Sequence, residues 1–318
     1  MDKLIELIRQ KDNPSVVGLD PKPELIPEQL LDEYSHDRAG ALADSYEAFN
    51  RAIIDAVCDI VPAVKPQIAM YEALGPVGLD VYCRTTRYAK SKGLYVIGDV
   101  KRGDIGSTAA AYAAHLSGVP FSDAMTGAED IEDPWSQDCI TVNPYLGEDG
   151  IEPFIRSAKE TDKDIFILVR TSNPSSSQLQ ELNAEDSRPV FEHVAALVEQ
   201  WGKETVGESG YSRTGAVVGA THPKAGARLR EIMPHTFFLV PGFGAQGGTA
   251  KDVAAMFDSN GSGAIVNSSR GIIGAWKKEA KYSKDMNAQE ALDLVMLSAQ
   301  NAAIKMRNSL RAALKERQ

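Results

Sequence analysis

Short apolar runs rich in β-branched residues recur along the chain, and longer stretches with apolar residues three and four apart separate them. The runs are Val16–Asp20, Ala63–Pro66, Tyr95–Lys101, Cys139–Asn143, Ile165–Thr171, Ala216–Thr221, Phe237–Pro241 and Ala264–Ser268. Most lack a polar face, as expected of parallel strands covered on both sides. Between them, Leu42, Tyr46, Phe49, Ile53, Val57 and Ile60 fall on one helical stripe. Asn287 followed by Glu290 carries a capping-box signature and predicts a long terminal helix through Leu292, Val295, Met296, Ala299, Ala303, Met306 and Leu310.

Eight alternating strand and helix units predict a (β/α)8 barrel, a single domain over residues 1–318 with its site at the carboxyl ends of the strands. Pattern alone leaves an open doubly wound sheet as the alternative. Pro174–Gln180 is expected to be a long loop within one repeat, not a linker between domains. The stretch Thr126–Trp135 is expected to be irregular, on the opposite rim, and receives no role.

Composition places the chain among ordinary globular proteins: 318 residues, 43% apolar and 25% charged. The net charge of -10 argues against a general nucleic-acid or anionic-membrane surface, although clustered cations in a cleft can still bind a small anion. The amino-terminal stretch has charges inside its apolar residues and no small-residue cleavage site, and no apolar run approaches a membrane span. Cys58, Cys83 and Cys139 are far apart and form no C-x-x-C pair, so reduced thiols and a cytoplasmic location are expected.

The uncommon residues collect where the strands should end: Asp20, Lys65, Asp99 with Lys101, Asn143, Thr171 with Ser172, Thr221 with His222, Pro241, and Arg270. Any one of these is explained by the surface beginning there. As a set they would converge on the rim where barrels of this kind carry their catalytic residues. Asp99 and Lys101 are two apart, which on a regular strand sends both side chains to one face. An inward lysine needs compensation for leaving water, and the carboxylates of Asp99 and Asp104 flank it in sequence. A buried ion network that only fixes the fold is the bland alternative. Lys65 weighs against it, because a closed Lys-Asp-Lys-Asp array is an unusual device for stability.

Two further segments suit a phosphate. Pro241-Gly-Phe-Gly-Ala-Gln-Gly-Gly248 follows the seventh run and Ser268-Ser-Arg-Gly follows the eighth. Glycines admit backbone N–H groups close to an anion, and Arg270 can grip it through two parallel hydrogen bonds. The segment is not a Walker loop, since the G-K-[ST] ending is missing. Metal and nucleophile readings find little support. His36, His115, His193, His222 and His235 show no ligand spacing, and neither H-E-x-x-H nor G-x-S-x-G occurs.

Asp99-Val-Lys-Arg-Gly-Asp-Ile-Gly-Ser-Thr108 resembles the D-x-K-x-x-D-I-x-x-T signature of the orotidine 5'-phosphate decarboxylase family, in the variant with arginine after the lysine. The resemblance extends to Val17-Gly-Leu-Asp20, Lys65-Pro-Gln, Thr141-Val-Asn-Pro-Tyr-Leu-Gly147, Arg170-Thr-Ser-Asn-Pro174, Val218-Gly-Ala-Thr-His-Pro223, the Pro241–Gly248 segment and Ser269-Arg270. Their order along the chain is similar to that of the longer bacterial subgroup. The resemblance implies loss of CO2 from orotidine 5'-phosphate to give UMP in de novo pyrimidine biosynthesis, with neither metal nor organic cofactor. It implies that Lys101 donates the proton to C6 with Asp99 beside the departing carboxylate, that Lys65 touches the ribose and orients Asp99, and that Asp20 binds ribose. It further assigns the pyrimidine edge to Ser172, with Thr171 and Asn173 as alternatives in the same loop. Gln246 would bridge base and phosphate beside Pro241, and Ser269 and Arg270 would hold the phosphate. Finally, it implies a homodimer in which Asp104 and Thr108 reach the neighbouring site. Two rivals stay open: a magnesium-dependent phosphosugar decarboxylase or aldolase of similar barrel, which would carry an acidic metal ligand where Lys65 stands, and a non-catalytic nucleotide-binding protein.

Overall fold

The computed structural model describes residues 1–31, 35–122, 129–244 and 247–317. Ten strands are present: β1 Ser15–Leu19, β2 Ala63–Pro66, β3 Tyr95–Arg102, β4 Val119–Ser122, β5 Glu129–Glu132, β6 Cys139–Val142, β7 Asp164–Arg170, β8 Thr214–Val218, β9 Phe238–Val240 and β10 Ala264–Ser268. Eight of them close into a parallel barrel in the order β1-β10-β9-β8-β7-β6-β3-β2. The expected (β/α)8 architecture is therefore the observed one, and the open sheet is excluded by the pairing of β1 with both β2 and β10.

The unbroken apolar runs become strands because each is covered twice. Val17, Val64, Val96, Ile140, Ile165, Val218 and Val240 pack outward into a large core shared with the surrounding helices. Val16, Tyr95, Ile97, Phe166, Val217, Leu239 and Ile265 fill the barrel interior. Burial of one such aliphatic or aromatic side chain stabilises by about 1.5–3 kcal/mol. The helix Asp2–Lys11 lies across the amino-terminal end of the barrel, where Met1, Leu4 and Ile5 join the interior cluster. With that end plugged, the carboxyl ends of the strands are the open face.

Two helices follow the expected stripes. The helix Arg38–Val57 buries Tyr46, Phe49, Ile53 and Val57, whereas Ile60 lies beyond its end. The terminal helix Ala288–Arg317 starts at the expected box: Glu290 N–H donates to Asn287 Oδ1 at 3.0 Å, and Asn287 N–H donates to Glu290 Oε2 at 2.9 Å. Among the described residues no helix is long and apolar enough to cross a membrane.

The structure corrects these expectations. Pro174–Gln180, read as a loop, is a 3-10 turn over Pro174–Ser176 followed by a short helix over Ser177–Gln180, within one repeat as expected. Glu129–Glu132, read as irregular, is β5, which pairs antiparallel with β4 in a separate two-stranded sheet (Val119 with Glu132, Ser122 with Glu129). An acidic run offers no alternation of apolar residues from which to predict a strand; residues 126–128 lie outside the described residues. The strand expected to reach Thr221 ends at Val218. Gly219 leaves the ladder there and donates its N–H to Arg170 O at 2.7 Å, and a side chain at 219 would meet the Ser172 backbone at 2.9 Å.

Candidate active site

β3 does not reach the rim as a regular strand. Gly98 pairs with Ile140 and Arg102 with Val142, so four steps of β3 span two of β6. Inside this bulge Lys101 takes φ 45, in the left-handed region. A non-glycine residue there costs about 1–3 kcal/mol and persists only where its surroundings hold it. The expected two-residue alternation of Asp99 and Lys101 therefore fails, and the two side chains meet because the backbone turns.

Asp99 is the centre of the arrangement and is 7% exposed. Its Oδ2 accepts from Lys65 Nζ at 2.6 Å and from Gln67 Nε2 at 2.9 Å. Its Oδ1 accepts from Lys101 Nζ and, at 3.0 Å, from the hydroxyl of Thr141. Burial alone would raise the Asp99 pKa, but Lys65 and Lys101 outweigh it and hold the carboxyl well below the usual carboxylate range. Lys65 is 4% exposed. Burial would lower its pKa, yet Asp99 and Asp20 reverse the sign and raise it.

The Lys101 side chain, by contrast, is 46% exposed and meets a single carboxylate among the described residues. Asp104, expected to flank it, turns away and accepts from Ile105 N–H at 2.8 Å. Thr108 stands exposed in the first turn of the helix Gly106–Ser117. Neither Asp104 nor Thr108 lines the cavity described next.

That cavity, of about 880 Å³, opens above the array and gathers Asp20, Lys65, Asp99, Lys101, Ser172, Pro241, Ser269 and Arg270 from the expected set. Gln246 lies outside the described residues. Thr171 and Asn173 also line it, but the Thr171 hydroxyl is engaged within the loop, donating to Asn173 Oδ1 at 2.6 Å and accepting from Gln180 Nε2 at 2.8 Å. Arg170, 1% exposed, anchors this loop through Gln180 Oε1 at 3.0 Å and through Ser176 and Glu181.

At the far end of the cavity Ser269 precedes the short helix Arg270–Ile273, and Gly242 and Gly244 have φ values of 99 and 72. β1 passes Ser269 so closely that a side chain at Gly18 would meet its hydroxyl at 1.9 Å. Among the described residues, Lys22 and Arg270 have no carboxylate partner, although both line the cavity. Asp20 Oδ1 and Asn267 Oδ1 are buried atoms without a hydrogen-bond partner there. Four cations against two carboxylates make the cavity positive in a chain of net charge -10.

Sequence reasoning assigned no role to four polar lining residues: Gln67, Thr141, Lys22 and Asn267. The available signals were small. Gln67 stands two residues after Lys65, Thr141 is the polar residue in the apolar run of β6, and Lys22 follows Asp20 by two.

A cation-lined cavity with one acid held between two lysines suits an anionic substrate that develops negative charge at a carbon. Residues 16–284 match the model of the orotidine 5'-phosphate decarboxylase / HUMPS family. An orotidine 5'-phosphate decarboxylase of Rhodopirellula baltica is 46% identical over 279 residues, 87% of this chain and 89% of the relative. One from Caldicellulosiruptor bescii is 42% identical over 305 residues, 92% of this chain and 97% of the relative. The solved structure of Leishmania donovani OMP decarboxylase superposes with a TM-score of 0.71 at 27% identity, covering 98% of both chains. The Methanocaldococcus jannaschii orotidine 5'-monophosphate decarboxylase complexed with inhibitor BMP has a TM-score of 0.58 at 17% identity, covers 93% of this chain and 97% of its own, and shares the fold. By the match over most of its length, the chain belongs to the orotidine 5'-phosphate decarboxylase / HUMPS family.

Proposed function

We propose that the chain decarboxylates orotidine 5'-phosphate to UMP in pyrimidine biosynthesis, with Lys101 as the proton donor and without metal or organic cofactor. The observation that carries this reading is the Lys65–Asp99–Lys101 array lining a cavity that Arg270 lines as well. When the C6–carboxylate bond breaks, its electron pair stays on C6, CO2 departs, and Lys101 Nζ delivers a proton to C6; solvent then reprotonates the amine. A preorganised cation is what such a localised carbanion requires.

Asp99 holds Lys101 and stands beside the substrate carboxylate. Like charges about 4 Å apart at an effective dielectric of about 20 repel by roughly 4 kcal/mol, less with two lysines adjacent. Enzymes lower barriers by about 8 to 23 kcal/mol, so the repulsion is the smaller contribution and Lys101 the larger. Asp20, with its unsatisfied oxygen, and Lys65 face the ribose hydroxyls. Ser172 meets the pyrimidine edge and Pro241 lines the same cavity; the bridge from base to phosphate expected of Gln246 lies outside the described residues. Ser269 and Arg270 grip the phosphate, with Lys22 as the second cation a dianion calls for. Binding energy from this distant group serves to close loops and expel water at C6.

The working unit in this reading is a homodimer. Asp104 and Thr108 lie outside their own cavity, and their neighbourhood exposes Ile105 at 53%, Tyr145 at 78% and Leu146 at 49%. An Asp104 supplied by the second copy would give Lys101 the second carboxylate that its own chain withholds.

The phosphosugar rival needs an acidic ligand at position 65, where a buried lysine is bound to Asp99 instead. Loss of orotidine 5'-phosphate absorbance in the presence of EDTA tests the proposal. Turnover that survives the chelator supports it, turnover abolished by EDTA favours the magnesium enzyme, and UMP binding without CO2 release favours a binding protein.

A further inference from the structure

We infer that Thr141 is the positioning residue that aims Lys101, and that its hydroxyl does so through a closed ring of hydrogen bonds; the inference rests on the reading of Lys101 as proton donor. A threonine hydroxyl has one hydrogen to give. Asp99, ionised, can only accept, so the Thr141 hydrogen goes to Asp99 Oδ1 at 3.0 Å. Thr141 Oγ1 in turn accepts from the Lys101 backbone N–H at 2.9 Å. Lys101 Nζ returns to Asp99 Oδ1 and completes the circuit. The ring thus ties the backbone of the lysine, the acid that receives its ammonium group, and the neighbouring strand into one unit.

Three observations make this more than incidental contact. Lys101 has the left-handed backbone that needs an outside restraint, with φ 45. The bulge leaves the β3–β6 ladder without a pairing between Gly98 and Arg102, and the Thr141 hydroxyl takes the Lys101 N–H inside that gap. Thr141 is 1% exposed and keeps its own register with Phe166 on β7, so its backbone belongs to the barrel whatever its side chain does. Removing the hydroxyl frees the attitude of Lys101 without removing a strand. The far end of the cavity, with Arg270, is untouched.

Thr141→Val keeps the branched shape and removes the hydroxyl; Thr141→Ser keeps the hydroxyl. For each, kcat and KM for orotidine 5'-phosphate, the affinity for UMP, and exchange of the C6 hydrogen of UMP with deuterium from solvent are to be measured. Since misplacement of a reacting group by about 1 Å costs on the order of 100-fold, T141V is expected to lose about that factor in both kcat and C6 exchange. KM and UMP affinity stay at the wild-type level, and T141S retains wild-type turnover. The inference is overturned by a T141V protein with wild-type kcat, by a T141S protein that falls as far as T141V, or by loss of UMP affinity in step with kcat. Should T141V not fold, Thr141→Ala against T141S carries the same comparison. Wild-type protein that does not turn over orotidine 5'-phosphate overturns the proposed function itself, whereas an active wild type with an unaffected T141V overturns only this role.

Discussion

The two ends of the barrel bury charge in opposite ways. At the amino-terminal end Asp138, 6% exposed, accepts from Lys3 Nζ at 2.7 Å, Lys90 Nζ at 2.5 Å and Val96 N–H at 2.9 Å. Beside it the Tyr95 hydroxyl donates to Asp164 Oδ2 at 2.6 Å. At the carboxyl end Asp99 is equally crowded with donors, but its surroundings are left open. Lys101 is half exposed and in a strained backbone, and among the described residues Asp20 and Asn267 have an unused oxygen and Lys22 and Arg270 lack a carboxylate. A network built for stability satisfies its members internally; one built for a ligand withholds partners. That difference answers the bland reading of the Lys-Asp-Lys array better than the presence of charge does.

The sharpest way to break the comparison is to remove one cation at the rim. Lys101→Ala is expected to lower kcat by on the order of 10⁴-fold, the upper range for a positioned proton donor. The urea midpoint should barely move, because the side chain is 46% exposed. Near-native turnover in that variant would sink both the role of Lys101 as proton donor and the contrast. At the floor the pattern should invert. Asp138→Ala leaves Val96 N–H without its acceptor, so a loss of about 2 kcal/mol in unfolding free energy with unchanged kcat is expected.

The same comparison shows what was legible beforehand. Strands such as β2 and β10 could be located to the residue because burial on both faces leaves a continuous apolar run. The rim acids and lysines could be found because charge at the end of such a run is costly. What escaped was set by contacts between distant segments. At the bulge the Lys101 N–H donates to Thr141, forty residues on, so alternation within β3 gave the right neighbours for the wrong reason. Gln67 and Thr141 carry no charge to draw attention, yet supply two of the four donors to Asp99. Asp104 is three residues from Lys101 in sequence, but among the described residues it makes no ion pair with it, and its carboxylate accepts from Ile105 N–H instead. β5 escaped for the converse reason: it is acidic and has a single partner strand.

A pH profile sharpens the rim further. The pKa of Asp99 is depressed, so it stays ionised at every pH above its ordinary value of about 3.9; that of Lys65 is raised, so it stays charged below about 10.4. Any stability these two lend to the fold is accordingly lost only as pH falls below about 4 or rises above about 10. The acid limb of kcat/KM should instead follow the second ionisation of the substrate phosphate near pH 6, where falling pH removes one negative charge from the group at Arg270. The size of this effect is at most tenfold per pH unit. A limb near pH 6 that persists with a phosphonate analogue of different pKa would count against it.

The smallest expected effect concerns Lys22, whose neighbours place it on the phosphate side. Gly18, before it, lies against Ser269, while the carbonyl of Leu25, after it, accepts from Trp276 Nε1 at 3.1 Å. The segment between is therefore held against the strand-to-helix turn that carries Arg270. With Lys65 and Lys101 both engaged by Asp99, a dianionic phosphate finds two cations without a carboxylate partner, Arg270 and Lys22. A half-buried lysine in this setting contributes about 1 kcal/mol, so Lys22→Met should raise KM for orotidine 5'-phosphate about fivefold and leave kcat near the wild-type value. Arg270→Ala, which removes a two-pronged grip, should raise it by ten- to a hundredfold on the order of magnitude set by charge-assisted hydrogen bonds. The discriminating measurement uses orotidine, which lacks the phosphate: if Lys22→Met weakens turnover of the nucleoside as much as that of the nucleotide, Lys22 serves the ribose or the rim, and the division of the four cations into two pairs is wrong.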